Sequence, residues 1–175
     1  MAGAVTPILI LFSGLPGCGK TTLARQLASR LGAPLLAKDR VQRLLRDQMP
    51  GADPVTGYHL LLDLADEQLG LGLSVILDAV FPLPEFREAA RAIATRHGAA
   101  WRVVYCYCSD ESVWRARMDG RVQYVPGWTP VGWEEVERLR ALFQPWQPGE
   151  AIFADSINPL VANLATVLAG LGEEG

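Results

Sequence analysis

Ile8-Leu-Ile-Leu-Phe12-Ser-Gly14-Leu-Pro16-Gly17-Cys18-Gly19-Lys20-Thr21-Thr22 is the stretch from which the rest of the chain is read. Ile8 to Phe12 is an unbroken apolar run between Pro7 and Gly14, the pattern of a strand buried on both faces, as in a parallel sheet. From Gly19 the period changes. Leu23, Leu27 and Leu31 recur at helical spacing, and Gly32 supplies a C-terminal stop. Between strand and helix, Gly14 to Thr21 matches G-x-x-x-x-G-K-[ST] in full. Glycines let the backbone turn with its N–H groups inward, where they cradle phosphate oxygens, and the helix adds its positive N-terminal end. In such a loop Lys20 bridges the β- and γ-phosphates, and the Thr21 hydroxyl coordinates Mg²⁺. Pro16, Cys18 and Thr22 complete the expected nucleotide contact. Cys18 occupies a variable position and reads as a spacer, although an exposed thiol there would make the loop sensitive to oxidation.

Outward from this loop, strand and helix patterns alternate to the C-terminus. Pro34 to Ala37 reads as a short strand, and Val41, Leu44, Leu45 and Gln48 as a short helix. Tyr58, Leu61, Leu62, Ala65 and Leu69 form one helical face. Ser74 to Asp78 is a third strand, and Pro84-Glu85 opens a helix with Phe86, Ala89, Ala90 and Ile93 as its expected core face. Trp101 to Cys106 is a fourth strand, with Ser109 or Asp110 as cap of the next helix. Trp133, Val136, Leu139 and Phe143 mark another helix, Ala151 to Ala154 a last strand, and Asn158-Pro159 the start of a final helix. This order predicts an α/β fold with five mainly parallel strands and right-handed crossovers. One domain over residues 1–175 is the economical reading.

Composition narrows the class. The chain has 175 residues, 50% of them hydrophobic and 20% charged, which excludes a disordered chain. A net charge of −3 gives no basic field for long nucleic acid. The apolar runs are far too short to span a bilayer. Three cysteines, Cys18, Cys106 and Cys108, are too few for a disulfide scaffold, so a reduced, cytoplasmic setting is expected.

Two carboxylates follow the loop at strand ends, where ligands bind in open α/β sheets. Asp78 closes an h-h-h-D strand, the position from which a carboxylate holds Mg²⁺; its other reading is a cap for the next turn. Asp39 follows the second strand and lies 19 residues after Lys20. There a carboxylate can accept the proton of an attacking hydroxyl, or cap a helix beginning at Val41, and the two readings are compatible. Lys38, Arg40 and Arg43 surround it, either as contacts for an acidic acceptor or as a solvated face. Arg115, Arg117 and Arg121 lie before and within a Gly/Pro-rich stretch, a candidate lid over residues 115–132. Arg117 and Arg121, four apart, are the pair expected to neutralise charge on a transferring phosphoryl group.

Taken together, Gly14 to Arg43 resembles the small P-loop kinases related to the kinase domain of phage polynucleotide kinase, to zeta toxins, chloramphenicol phosphotransferase and gluconate kinase. Those proteins share a G-x-P-G-x-G-K-[ST]-T loop, matched by Gly14 to Thr22. The resemblance implies a three-layer P-loop NTPase fold, Asp39 as general base, Asp78 at the metal, and Arg117 with Arg121 as the lid's R-x-x-x-R. It also implies that Asp155-Ser156 stands near the adenine. One departure is Gln42, where the family commonly has an arginine three residues after the base.

The leading expectation is an ATP- and Mg²⁺-dependent phosphotransferase acting on a hydroxyl-bearing acceptor: a small metabolite, a nucleoside or nucleotide, or a nucleic-acid 5′-end. The alternative is a nucleotide-binding regulatory module without acceptor chemistry. A GTPase switch is disfavoured, because Asp78-Ala-Val-Phe81 and Asp155-Ser-Ile-Asn158 supply neither D-x-x-G nor N-K-x-D.

Overall fold

A computed structural model describes residues 6–120 and 131–172. Five strands form one parallel sheet: β1 (Ile8–Ser13), β2 (Leu35–Ala37), β3 (Val75–Asp78), β4 (Ala100–Tyr107) and β5 (Ile152–Asp155), in the order β2-β3-β1-β4-β5. Seven helices connect or flank them among the described residues: α1 (Lys20–Leu31), α2 (Lys38–Gln48), α3 (Thr56–Gly70), α4 (Pro84–Arg96), α5 (Glu111–Asp119), α6 (Trp133–Leu142) and α7 (Leu160–Leu171). The expected α/β fold with a five-stranded sheet is therefore observed, with every strand pairing parallel.

The unbroken apolar run of β1 has its physical reason in the sheet order. β1 is the central strand, and Leu9, Ile10, Leu11 and Phe12 are fully buried. Ile10 and Phe12 pack on one side with Leu23 and Leu27 of α1 and Val167 of α7. Leu9 and Leu11 pack on the other with Leu61 and Ala65 of α3 and Ala90 and Ala94 of α4. The result is three layers, helix on sheet on helix.

One boundary and one buried face differ from the sequence pattern. α2 begins at Lys38, three residues before Val41, because β2 passes directly into the helix with Ala37 as N-cap. Asp39 is thus a first-turn residue and not the cap. In α4 the buried positions are Arg87, Ala90 and Ala94, whereas Phe86, Ala89 and Ile93 are only partly buried.

Candidate active site

The site is built at the C-terminal edge of the sheet, where β1 gives way to the loop before α1. Gly14 has φ +138°, and a Cβ there would lie 2.0 Å from the carbonyl oxygen of Cys106 on β4. Only glycine lets the loop leave the sheet so close to its neighbour. Gly17 has φ +82°, and a Cβ would meet Met118 Sδ at 2.5 Å and Trp114 Nε1 at 2.8 Å, both on α5. Trp114 Nε1 donates to the Pro16 carbonyl at 2.8 Å, so α5 buttresses the loop from outside. Lys20, nearly buried, donates from Nζ to the Leu15 carbonyl at 2.9 Å. Its ammonium is thereby held against the loop backbone.

Asp78 pairs across the sheet with Phe12 of β1 and Ala37 of β2. It is 4% exposed, and its Oδ2 accepts a hydrogen bond from Thr21 Oγ1. Burial pushes this carboxyl above its ordinary value, while the Lys20 charge and the Thr21 bond act in the opposite direction. A hydroxyl and a carboxylate side by side, next to a loop suited to phosphates, is a donor set that fits Mg²⁺.

Because Ala37 is the cross-strand neighbour of Asp78, Asp39 two residues on stands at the same edge. Asp39 is exposed on the cleft, in the first turn of α2, where the helix dipole favours an anion. Lys38 beside it lies over the Tyr58 ring, 4.7 Å from the centroid, and burial lowers its pKa while Asp39 raises it. Lys38 and Arg46 line the cleft. Arg40 and Arg43, expected as flanking cations, do not. Gln42 is 7% exposed and lines the same wall. Its Oε1 rests where a Cβ on Gly57 would come within 2.8 Å, so the glycine allows α3 to approach α2.

One cleft of about 1460 Å³ contains Pro16 to Thr22, Asp39, Asp78 and Arg117 in its lining. Gly14 is outside it and acts through its close approach to β4. Arg117 donates to Ser156 Oγ at 2.8 Å and to the Ser156 carbonyl at 2.9 Å. Arg121 and most of the candidate lid lie outside the described residues. Arg115 does not reach the cleft. It pairs with Glu111 at 3.0 Å and packs 4.1 Å from the Trp133 ring.

Asp155 also departs from expectation. Its Oδ1 accepts from the Ser109 and Ile157 amides at 3.1 and 3.2 Å, joining the turns after β4 and β5. The cleft wall is formed by its neighbour Ser156, with Asn158 and Asn163. Cys18 is 2% exposed, and burial pushes its thiol up to about 11, so the exposed, oxidation-sensitive alternative does not apply and the spacer reading stands. The residues that sequence reasoning missed are on α6. Glu135 and Arg138 pair at 2.6 Å on the cleft side, and their i, i+3 spacing was the available signal.

No helix among the described residues is long and apolar enough to cross a membrane. Residues 9–146 match the model of a family described as AAA domain. The chain is similar to the uncharacterized protein Rv2004c of Mycobacterium tuberculosis, at 40% identity over 100 residues. That alignment covers 49% of this chain and 20% of the relative, so the match spans about a fifth of the curated relatives' length. Among solved structures, Kti12 of Chaetomium thermophilum in complex with ADP-AlF3 is 20% identical, with a TM-score of 0.77 over 94% of this chain and 97% of that one. A gluconokinase from Sinorhizobium meliloti is 21% identical, with a TM-score of 0.67 over 95% and 93%. At these identities the likeness establishes the fold alone, a three-layer P-loop fold.

Proposed function

The chain belongs to the AAA domain family AAA_33, and from that premise we propose that it is an ATP-dependent phosphotransferase that moves the γ-phosphoryl group to an alcohol. The observation that carries this reading is the lining of one cleft by the phosphate loop, by Asp78 and by Asp39. A nucleotide module without acceptor chemistry has no use for a carboxylate across the cleft from the loop.

In this reading the amides of Gly17 to Thr22 hold the ATP phosphates. Lys20 leaves the Leu15 carbonyl to bridge the β- and γ-phosphates. Thr21 and Asp78 are the residues that hold Mg²⁺, which when bound neutralises charge on the phosphates. Asp39 accepts the proton of the acceptor hydroxyl as its oxygen bonds to the γ-phosphorus and the bond to the ADP oxygen breaks. Arg117, with Arg121 from a lid over residues 115–132, offsets charge spread over the transferring group. Ser156 stands in the cleft wall where Asp155 was expected beside the adenine. The acceptor is a small metabolite, a nucleoside or nucleotide, or a nucleic-acid end. The net charge of −3 supports small acceptors over long nucleic acid. The three free cysteines, two of them buried, support a cytoplasmic setting, and the single sheet supports one domain over the chain.

A screen of alcohols with labelled ATP tests the proposal. Asp39→Asn should lower phosphoryl transfer to the acceptor it finds by about 10²- to 10⁴-fold and leave ATP affinity unchanged. Equal turnover by both proteins removes Asp39 from the mechanism, whereas ATP binding with no transfer to any alcohol favours the regulatory module.

A further inference from the structure

The turn after β3 has a conformation its residues would not adopt alone. Phe81 is fully buried with φ +50°, in the left-handed region that strains a bulky residue. Two side chains hold it there. The Phe81 N–H donates to the Tyr58 hydroxyl of α3 at 3.2 Å, and its carbonyl accepts from Arg87 Nε of α4 at 2.8 Å.

The same turn reaches the phosphate loop. The Val80 carbonyl accepts from Ser13 Oγ at 3.0 Å and from the Gly14 N–H at 3.3 Å. The Ala79 N–H donates to the Phe12 carbonyl at 3.4 Å. Residues 79–81 therefore connect Asp78, the start of the phosphate loop and helices α3 and α4 through consecutive backbone groups.

Arg87 is costly where it stands. It is 9% exposed, its guanidinium lies 4.4 Å from the Trp146 ring and 5.0 Å from the Phe143 ring, and its Nη2 has no hydrogen-bond partner among the described residues. The two ring contacts offset part of that cost, and an apolar side chain of similar volume would fill the same space. What an apolar side chain lacks is the donor to the Phe81 carbonyl.

We propose that Arg87 is a positioning residue: by holding Phe81 in the left-handed turn, it sets where Asp78 and the phosphate loop stand relative to each other. The inference rests on reading Thr21 and Asp78 as the metal side of the nucleotide site. Arg87 does not line the cleft, so it acts through the turn and not by touching substrate.

Calorimetric titration of the full chain with ADP, with and without Mg²⁺, tests this. The quantity read is the factor by which Mg²⁺ tightens ADP binding. In Arg87→Met that factor should fall about tenfold, while Mg²⁺-free ADP affinity is kept. Tyr58→Phe, which removes the opposite hold on Phe81, should lower it about threefold. Arg87→Lys, which keeps a donor, should restore most of it. If Arg87→Met does not fold, Arg87→Lys and Tyr58→Phe carry the test. An unchanged factor in Arg87→Met and Tyr58→Phe overturns the positioning role and leaves the nucleotide site standing, as does Arg87→Lys behaving like Arg87→Met. A wild-type protein that binds no ADP overturns both.

Discussion

Thr21 Oγ1 donates a 2.6 Å hydrogen bond to Asp78 Oδ2, tying the first turn of α1 to the last residue of β3. The bond brings together two oxygen donors from residues 57 positions apart. Burial holds the Asp78 carboxyl above the ordinary carboxylate range, so it protonates at a higher pH than a free aspartate. Mg²⁺ needs the ionised form. Mg²⁺–ADP affinity should therefore fall with decreasing pH through an inflection higher than that of an ordinary aspartate, and Asp78→Asn should remove that inflection and weaken the Mg²⁺ dependence. The stability sign is opposite. A raised folded-state pKa contributes stability that is present below the unfolded-state value and lost as pH rises through the folded one. Asp78→Asn should accordingly melt no lower than wild type at neutral pH.

Lys20 gives up one hydrogen bond, to the Leu15 carbonyl, when it turns to a phosphate. Lys20→Met should fold and keep its melting temperature within a few degrees. Phosphoryl transfer should drop by at least about 10²-fold, because the cation lost is the one opposite the developing charge. Retention of both ATP affinity and transfer would remove the loop from the mechanism.

Gly17→Ala meets two obstacles at once, a left-handed φ and the side chains of Met118 and Trp114. Its cost should be about 1–3 kcal/mol, read as a lowered denaturant midpoint at constant slope. Met118→Ala in the same protein should recover only part of it, since Met118 removal leaves the backbone angle and the indole in place. Full recovery would mean that the backbone carries no strain.

Thiol labelling should separate the three cysteines. Cys18 and Cys106 are buried, with thiols pushed up to about 11 and about 12, and Cys108 is partly exposed. Ellman's reagent at pH 8 should modify one thiol rapidly and the other two only on unfolding. Bound nucleotide should not change that count. Fast reaction of Cys18 in the folded protein contradicts its burial.

The legible features were those that a short motif or an uninterrupted pattern dictates. The apolar run to Phe12, the glycines and the lysine of the loop place a central strand and a phosphate-binding turn with no tertiary information. Asp78 was legible because a strand buried on both faces does not end in a carboxylate by packing alone. Asp39 was legible in position but not in its local setting: nothing in Leu35 to Arg40 announces that the strand passes into helix without a turn. Arg87 was hidden because helical periodicity ranks residues by hydrophobicity, and a guanidinium buried between aromatic rings violates that ranking. Asp155 matched a family position while its carboxylate satisfied two local amides, a choice made by turn geometry after β5.

The indole of Trp114, suspended from the Pro16 carbonyl, gives the phosphate loop a natural optical probe. Any shift of the loop backbone on closing around an anion must change the polarity or tilt around that chromophore. The emission of the unmodified protein should then report occupancy of the loop in real time, so that the kinetics of ligand arrival can be followed without an attached dye and before any acceptor is known.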